Sequence, residues 1–114
     1  MLYVDDDEPT RNLVGMILNQ FGFEVVTSSG QTDAILQVQL REREFDCILT
    51  DHFLLDGTGF RLSKELRSIG YTNRIVVVSG VMTRADFCLY RNCYVSGFLR
   101  KPFKLTTLAT MLST

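Results

Sequence analysis

The sequence predicts an α/β domain in which a parallel five-stranded sheet is covered by helices on both faces. Short apolar runs alternate five times with segments of helical periodicity along the 114 residues. The run at residues 75–78 is apolar without a break, which is typical of a strand buried on both faces of a parallel sheet. Right-handed crossovers then produce a three-layer sandwich. Periodicity alone leaves the order of the strands open.

The individual elements follow from these two patterns in chain order. A short strand covers residues 2–4, and an amphipathic helix follows at residues 9–21. Its apolar positions at helical spacing are Leu13, Val14, Ile17, Leu18 and Phe21. Further strands are predicted at residues 23–27, 46–50, 74–79 and 95–100. Further helices are predicted at residues 31–43, 59–69 and 83–93, and a last helix carries Leu105, Leu108, Ala109 and Leu112.

Length and composition are those of a single soluble domain. A chain of 114 residues can bury one core and has no room for a second domain. No apolar run approaches a membrane span and no secretory leader pattern is present, so we expect a cytoplasmic protein without membrane contact. The formal net charge of −1 gives no basic field for direct nucleic-acid binding. Because the first strand is short, we expect residues 1–114 to be one domain with a trimmed N-terminal strand.

Polar residues close four of the predicted strands. Aspartates occupy positions 5–7 after the first strand, Asp51 follows the third, Ser79 ends the fourth, and Lys101 follows the fifth. The carboxyl ends of neighbouring parallel strands meet at one edge of a sheet, so these side chains are expected to converge. Carboxylates, a hydroxyl and an ammonium together are suited to holding a divalent metal and a phosphoryl group.

Three blocks resemble the receiver domains of bacterial two-component response regulators and hybrid histidine kinases. They are the acidic opening at residues 4–11, the strand leading to Asp51 at residues 45–51, and Lys101-Pro102-Phe103. Their order and spacing, with Ser79 between them, also fit that family, and the resemblance covers essentially the whole chain. It implies a flavodoxin-like (βα)5 fold with strand order 2-1-3-4-5 and a phosphoacceptor function in signal transduction.

The resemblance implies a role for each residue of the polar set. Asp51 would accept a phosphoryl group from a phosphohistidine on a histidine kinase or a histidine phosphotransfer domain. Mg²⁺ or Mn²⁺ would be bound by Asp6 and Asp51 directly, by Asp5 through water, and by the backbone carbonyl of Phe53. Lys101 would contact the phosphoryl oxygens as a mobile point charge.

The resemblance also implies a conformational switch. Ser79 would donate a hydrogen bond to the bound phosphoryl group, and Phe98 on the fifth strand would follow it inward. Phe98 has no hydroxyl, so its movement would depend on packing. The peptide bond between Lys101 and Pro102 is expected to be cis. The signal would reach an output domain, a partner protein or a second copy of the chain through the fourth helix, fifth strand and fifth helix, and we expect no enzymatic turnover of a separate substrate.

Several positions depart from the family pattern without removing a ligand. Leu55 stands where proline is common, Thr58 where an acidic residue is frequent, and Tyr94 where a helix-ending glycine is usual. Phe53 is bulkier than many residues at its position, and we expect it to shield an acyl phosphate on Asp51 from water.

The aromatic residues and the single histidine allow more than one interpretation. Phe87, Tyr90 and Tyr94, around the fourth helix, fit either a partner surface or packing of the core and its rim. His52 follows Asp51 directly, and neighbouring residues in an extended segment face opposite sides. We therefore expect His52 to point away from the site, exposed and without a functional role.

Two other functions account for part of the pattern. A haloacid-dehalogenase-like phosphatase uses an Asp-x-Asp nucleophile after its first strand, which residues 5–7 offer, but Glu8-Pro9 follows where that class expects Gly-Thr nearby. A docking-only pseudo-receiver shares the receiver fold but typically lacks the acidic pair or the acceptor, and this chain keeps both. The sequence therefore favours a working phosphoacceptor.

Overall fold

A computed structural model describes residues 1–40 and 45–112, and within those ranges the chain forms seven strands and five helices. The strands are β1 (Leu2–Val4), β2 (Val26–Ser28), β3 (Cys47–Asp51), β4 (Phe53–Leu54), β5 (Gly57–Thr58), β6 (Arg74–Ser79) and β7 (Gly97–Arg100). The helices are α1 (Glu8–Gln20), α2 (Gln31–Leu40), α3 (Gly59–Ser68), α4 (Arg84–Leu89) and α5 (Leu105–Leu112).

Five of the strands form one parallel sheet in the spatial order β2-β1-β3-β6-β7. Numbered along the chain within that sheet, this is the order 2-1-3-4-5, so the fold expected from the resemblance is confirmed. Strands β4 and β5 form a separate antiparallel hairpin of two residues each. Such short strands leave no alternating pattern in the sequence, which is why the hairpin was not predicted.

Two apolar layers cover the two faces of the sheet. On one face, side chains of β1, β3 and β6 pack with Ala34 of α2 and with Leu62 and Leu66 of α3. On the other face, the alternate residues of the same strands pack with Leu18 of α1 and Leu108 of α5. The central strands are therefore buried on both sides, as their uninterrupted apolar sequences indicated.

Two strands are shorter than the apolar runs that predicted them. Strand β2 begins at Val26 instead of residue 23, because its pairing partner β1 begins at Leu2, which lies opposite Val26. Strand β7 begins at Gly97 instead of residue 95, because Tyr94, three residues earlier, adopts a left-handed conformation (φ 55°) that turns the chain there. A strand extends only where a neighbour offers a ladder of hydrogen bonds, and periodicity does not report that.

The helices also differ from the predictions in extent and buried face. Leu13 and Phe21 are 53% and 66% exposed, so the buried stripe of α1 is narrower than its apolar pattern. Helix α4 ends at Leu89 and not at residue 93. The guanidinium of Arg67 binds the carbonyl oxygens of Cys93 and Tyr94, at 2.9 and 2.8 Å, which holds that segment in a turn outside the helix. Residues 41–43 of the predicted second helix lie outside the described residues.

The helices of the described chain are all too short or too polar to cross a membrane. Cys47 and Cys93 are buried and Cys88 is exposed, and all three are free thiols.

Candidate functional site

The polar site lies at the carboxyl edge of the sheet, where the pairing of β1 with β3 brings two aspartates together. Val4 lies opposite Thr50 in the sheet, so Asp5 and Asp51, which come next in each chain segment, are neighbours. Asp6 lies beside them, and one ligand oxygen from each of the three carboxylates falls within 4.8 Å of the others. Of the acidic residues predicted to converge, Asp5, Asp6 and Asp51 therefore do so.

Lys101 completes the cluster from the end of β7. Its ammonium lies 3.1 Å from Asp5 Oδ2, 2.8 Å from Asp51 Oδ1 and 3.0 Å from Asp51 Oδ2. Its backbone N–H donates to the carbonyl of Ser79 at 3.0 Å, and the Lys101–Pro102 peptide bond is cis. Asp5 and Asp51 are 1% and 7% exposed, so the cation pairs with two carboxylates that water hardly reaches.

The two buried carboxyl groups have opposite pKa shifts. Burial raises the pKa of Asp51 to about 7, and the neighbouring Asp5 adds to the shift while Lys101 opposes it. Burial also acts to raise the pKa of Asp5, but hydrogen bonds from the Tyr3 hydroxyl and the Asp7 N–H outweigh it and hold that pKa below its usual value. Asp5 therefore carries the negative charge most readily, and Asp51 is the group whose charge depends on its surroundings.

Two residues that the sequence analysis overlooked support Asp5. The buried Tyr3 hydroxyl donates to Asp5 Oδ2 at 2.6 Å, and the guanidinium of Arg11 donates to the Asp5 carbonyl at 2.8 Å. The signal for Tyr3 was its position two residues before Asp5, which places both on one face of an extended chain. Asp7, the third aspartate, instead caps α1, because its side chain accepts from the Thr10 N–H at 3.1 Å.

The donor set fits a hard divalent cation. Three carboxylates supply oxygen ligands of the kind that Mg²⁺ and Mn²⁺ prefer. Asp51 Oδ1 is also a buried oxygen without a hydrogen-bond donor among the described residues, since the ammonium contact at 2.8 Å lacks hydrogen-bond alignment. A buried, unbonded carboxylate oxygen is costly unless another partner binds it. Phe53 follows on β4, where its side chain is 61% exposed.

Ser79 and Phe98 lie near the cluster but do not join it in this conformation. The Ser79 hydroxyl donates to the carbonyl of Val81 at 2.9 Å, within its own loop. The half-buried ring of Phe98 packs edge-on against Phe87 and Tyr90, with centroid distances of 4.9 and 5.3 Å. The structure therefore unites Asp5, Asp6, Asp51 and Lys101, and leaves the two residues expected to switch on separate contacts.

The expectation of an exposed His52 is wrong. Its side chain is 2% exposed, and its Nδ1 lies 2.6 Å from the hydroxyl of Tyr90. Alternation along an extended segment predicted that His52 and Asp51 face different sides, but Tyr90, just beyond α4, covers the side that His52 faces. Tyr90 is 2% exposed, whereas Phe87 and Tyr94 are 44% and 80% exposed, so the aromatic residues around α4 divide between core and surface.

A five-stranded doubly wound sheet with an acidic pocket and a lysine at its carboxyl edge defines a class of α/β signalling domain. The sequence profile of the response regulator receiver domain matches residues 1–113, and the chain belongs to that family. Receiver domains are in general signalling domains and not enzymes.

Two similar proteins are a transcriptional regulatory protein and a sensor kinase/phosphatase. The chain is 36% identical over 78 residues to the phosphate regulon transcriptional regulatory protein PhoB of Escherichia coli, covering 68% of the chain and 33% of PhoB. It is 30% identical to the autoinducer 1 sensor kinase/phosphatase LuxN of Vibrio campbellii, covering 98% of the chain and 13% of LuxN. The chain thus spans a third or less of these two relatives.

Among solved structures, the chain is similar to chemotaxis protein CheY4 of Vibrio cholerae. The TM-score is 0.87 at 28% sequence identity, and the alignment covers 98% of this chain and 93% of CheY4.

Proposed function

We propose that Asp51 accepts a phosphoryl group from a phosphohistidine of a histidine kinase or a histidine phosphotransfer domain, and that this modification controls which partner the domain binds. The observation that carries the proposal is the cluster itself. Asp5, Asp6 and Asp51 offer ligand oxygens within 4.8 Å of one another, and Lys101 pairs with two of these carboxylates. This combination suits phosphoryl transfer, in which a protein mainly positions groups and neutralises charge.

The proposed reaction needs few groups from the protein. A carboxylate oxygen of Asp51 attacks the phosphorus, a P–O bond forms, and the P–N bond to the donor histidine breaks, with its electron pair remaining on the imidazole nitrogen. Asp5, Asp6, Asp51 and the Phe53 carbonyl would hold Mg²⁺ or Mn²⁺. When bound, such a cation neutralises charge on the carboxylates and the phosphoryl oxygens. The ammonium of Lys101, on its flexible stem, follows the charge from the carboxylate to the phosphoryl group.

The switch begins from the contacts of the unmodified site. The Ser79 hydroxyl exchanges its bond to the Val81 carbonyl for one to a phosphoryl oxygen, and Phe98 moves into the space behind it. Phe98 borders α4, so the change reaches the face formed by α4, β7 and α5. An output domain, a partner protein or a second copy of the chain binds there. In this proposal the reaction takes place in the cytoplasm, and residues 1–114 act as a single receiver domain.

Intact-mass analysis after incubation with acetyl phosphate tests the proposal. We expect one phosphoryl adduct that requires Mg²⁺, is removed by hydroxylamine and is absent from Asp51→Asn. Asp46→Asn is the matched control, because Asp46 is exposed and precedes the same strand. An adduct on Asp51→Asn would place the acceptor elsewhere. No adduct on the wild type from either acetyl phosphate or a phosphohistidine donor would contradict the function and favour a docking-only domain.

A further inference from the structure

His52 is buried in a small polar cluster on the far side of the acceptor strand from the carboxylates. Its Nδ1 lies 2.6 Å from the Tyr90 hydroxyl, and its Nε2 lies 3.5 Å from Asp86 Oδ1. Tyr90 directly follows α4 and Asp86 belongs to it. Buried imidazole and phenol groups normally have hydrogen-bond partners, and here the partners join the residue after Asp51 to α4 and to the residue that follows α4.

Each ring nitrogen of the imidazole has a polar partner. Burial raises the pKa of Tyr90, so its hydroxyl stays protonated and shares a hydrogen bond with His52 Nδ1. The other ring nitrogen, Nε2, faces the carboxylate of Asp86. Asp86 is itself held by a capping box with Thr83 at the start of α4. Both ring nitrogens of His52 are thus directed at α4 or the residue that ends it.

The backbone of His52 is hydrogen-bonded to the sheet and to α3. Its N–H donates to the carbonyl of Val78 on β6 at 2.9 Å, and its carbonyl accepts from the Gly59 N–H at 2.7 Å. A Cβ atom at Gly59 would lie 2.5 Å from the Asp51 carbonyl and 2.8 Å from the Tyr90 hydroxyl. The close approach of α3, the acceptor strand and Tyr90 therefore requires glycine at this position.

Tyr90 also contacts the ring expected to move. Its ring packs edge-on against Phe98 at 5.3 Å and against Phe60 at 6.0 Å. Phe98 has no hydroxyl with which to form a hydrogen bond, whereas the hydroxyl of Tyr90 is hydrogen-bonded to the residue next to Asp51. A change in Phe98 must therefore displace Tyr90, or be resisted by the hydrogen bond between Tyr90 and His52.

We propose that His52 and Tyr90 are positioning residues that link the acceptor strand to α4, so that the hydrogen bond between them restrains α4 in the unmodified domain and transmits a change at Asp51 to the α4 surface. The signalling half of this inference rests on the proposed phosphorylation of Asp51. The restraint itself does not, because it is a property of the unmodified protein. The Tyr90 hydroxyl thereby supplies a polar contact that Phe98, which has no hydroxyl, cannot make.

Hydrogen–deuterium exchange of residues 84–89, measured by mass spectrometry, tests the link. Tyr90→Phe removes the hydroxyl and keeps the ring against Phe98, while Tyr94→Phe makes the same change at an 80% exposed position and serves as the matched control. Without phosphorylation, we expect exchange in Tyr90→Phe to be roughly three- to tenfold faster than in the wild type. Tyr94→Phe should match the wild type.

The response to phosphorylation distinguishes a contact that transmits the change at Asp51 from one that only stabilises α4. In the wild type and Tyr94→Phe, acetyl phosphate with Mg²⁺ should change the exchange of residues 84–89. In Tyr90→Phe, we expect the phosphoryl adduct to form but the exchange change to be lost. His52→Asn keeps a polar side-chain atom, Oδ1, two bonds from Cβ as Nδ1 is, and should preserve the exchange response. His52→Leu has no polar side-chain atom and should abolish it.

Two results would overturn the inference. The restraint is refuted if Tyr90→Phe exchanges at the wild-type rate in residues 84–89, and the transmission is refuted if its adduct produces the wild-type change. If the wild type forms no adduct, the proposed function and the transmission both fail, and the comparison of unmodified proteins still decides whether the restraint exists. If Tyr90→Phe is unfolded by circular dichroism, His52→Asn against His52→Leu provides the same comparison.

Discussion

Replacing Asp51 by asparagine should stabilise the domain in metal-free solution at neutral pH, although it removes the acceptor. Asp51 is 7% exposed and lies beside the carboxylate of Asp5, and burial raises its pKa from 3.8 to about 7. Since one pKa unit corresponds to about 1.36 kcal/mol, the raised pKa sets an upper bound of about 4 kcal/mol on the free-energy cost of ionising Asp51 in the folded protein. Asparagine has the shape of the carboxyl group without its charge, so the variant avoids this cost.

The expected gain is smaller than the upper bound because the site is open to water at one side. Lys101 has 29% of its side chain exposed and can rearrange around the ionised carboxylate. Such screening reduces the cost, and we expect Asp51→Asn to raise the free energy of unfolding by about 2 kcal/mol.

The pH dependence has a definite sign. The folded pKa of Asp51 lies above that of an unfolded aspartate, so from about pH 4 to about pH 7 the folded wild type binds more protons than the unfolded chain. Wild-type stability therefore falls as pH rises through that window, and Asp51→Asn lacks this contribution. The advantage of the variant should be small near pH 4 and largest above about pH 7.

Urea denaturation followed by circular dichroism, in EDTA at several pH values, measures this difference. Adding Mg²⁺ should reduce it, because a ligand that binds the folded wild type more tightly than the variant stabilises the wild type more. Asp46→Asn should show no comparable gain. The reasoning is refuted if Asp51→Asn is less stable than the wild type in EDTA above pH 7, or if its advantage does not grow with pH.

Three further changes have expected outcomes. Asp56→Ala should lower the free energy of unfolding by about 1 kcal/mol in urea denaturation, because the Asp56 carboxylate accepts from the N–H groups of Gln31 and Thr32, at 2.9 and 3.0 Å, at the start of α2. Tyr94→Gly should raise it by about 0.5–1 kcal/mol, because the left-handed conformation at Tyr94 strains a side chain that is 80% exposed. Phe53→Asn should shorten the lifetime of the phosphoryl adduct at least about twofold, measured by mass spectrometry, because the larger side chain two residues after the acceptor should keep water from the acyl phosphate.

For each of these three predictions, a specific result would contradict it. Burial of the Asp56 carboxyl is outweighed by its backbone hydrogen bonds, which lower its folded pKa below 3.8. The stability that this carboxylate contributes is therefore lost as pH drops through the lowered pKa. The loss of stability in Asp56→Ala should accordingly shrink as pH falls. A loss that stays constant in acid would show that the carboxylate does not act as a cap. A destabilised Tyr94→Gly would mean that the tyrosine ring contributes more than its backbone strain costs. Equal adduct lifetimes would remove the shielding role of Phe53.

The sequence by itself determined the architecture and the acidic site, because both follow from local rules. Apolar runs of strand length alternate with helical periodicity, and parallel strands deliver the residues after their carboxyl ends to a common edge. Asp5, Asp6, Asp51 and Lys101 therefore meet as expected. The order of the strands came from the resemblance to the receiver family, since periodicity contains no information on which strands are neighbours.

Tertiary structure alone decided how the site is supported and what lies behind it. The burial of His52 depends on Tyr90, 38 residues later in the chain, and the position of Tyr90 depends on where α4 ends. The segment that follows this end is held by the guanidinium of Arg67, which binds the carbonyl oxygens of Cys93 and Tyr94, more than 20 residues away in the chain. Side-chain alternation reports the direction a residue faces, but whether water or another element fills that direction is a property of packing between distant segments.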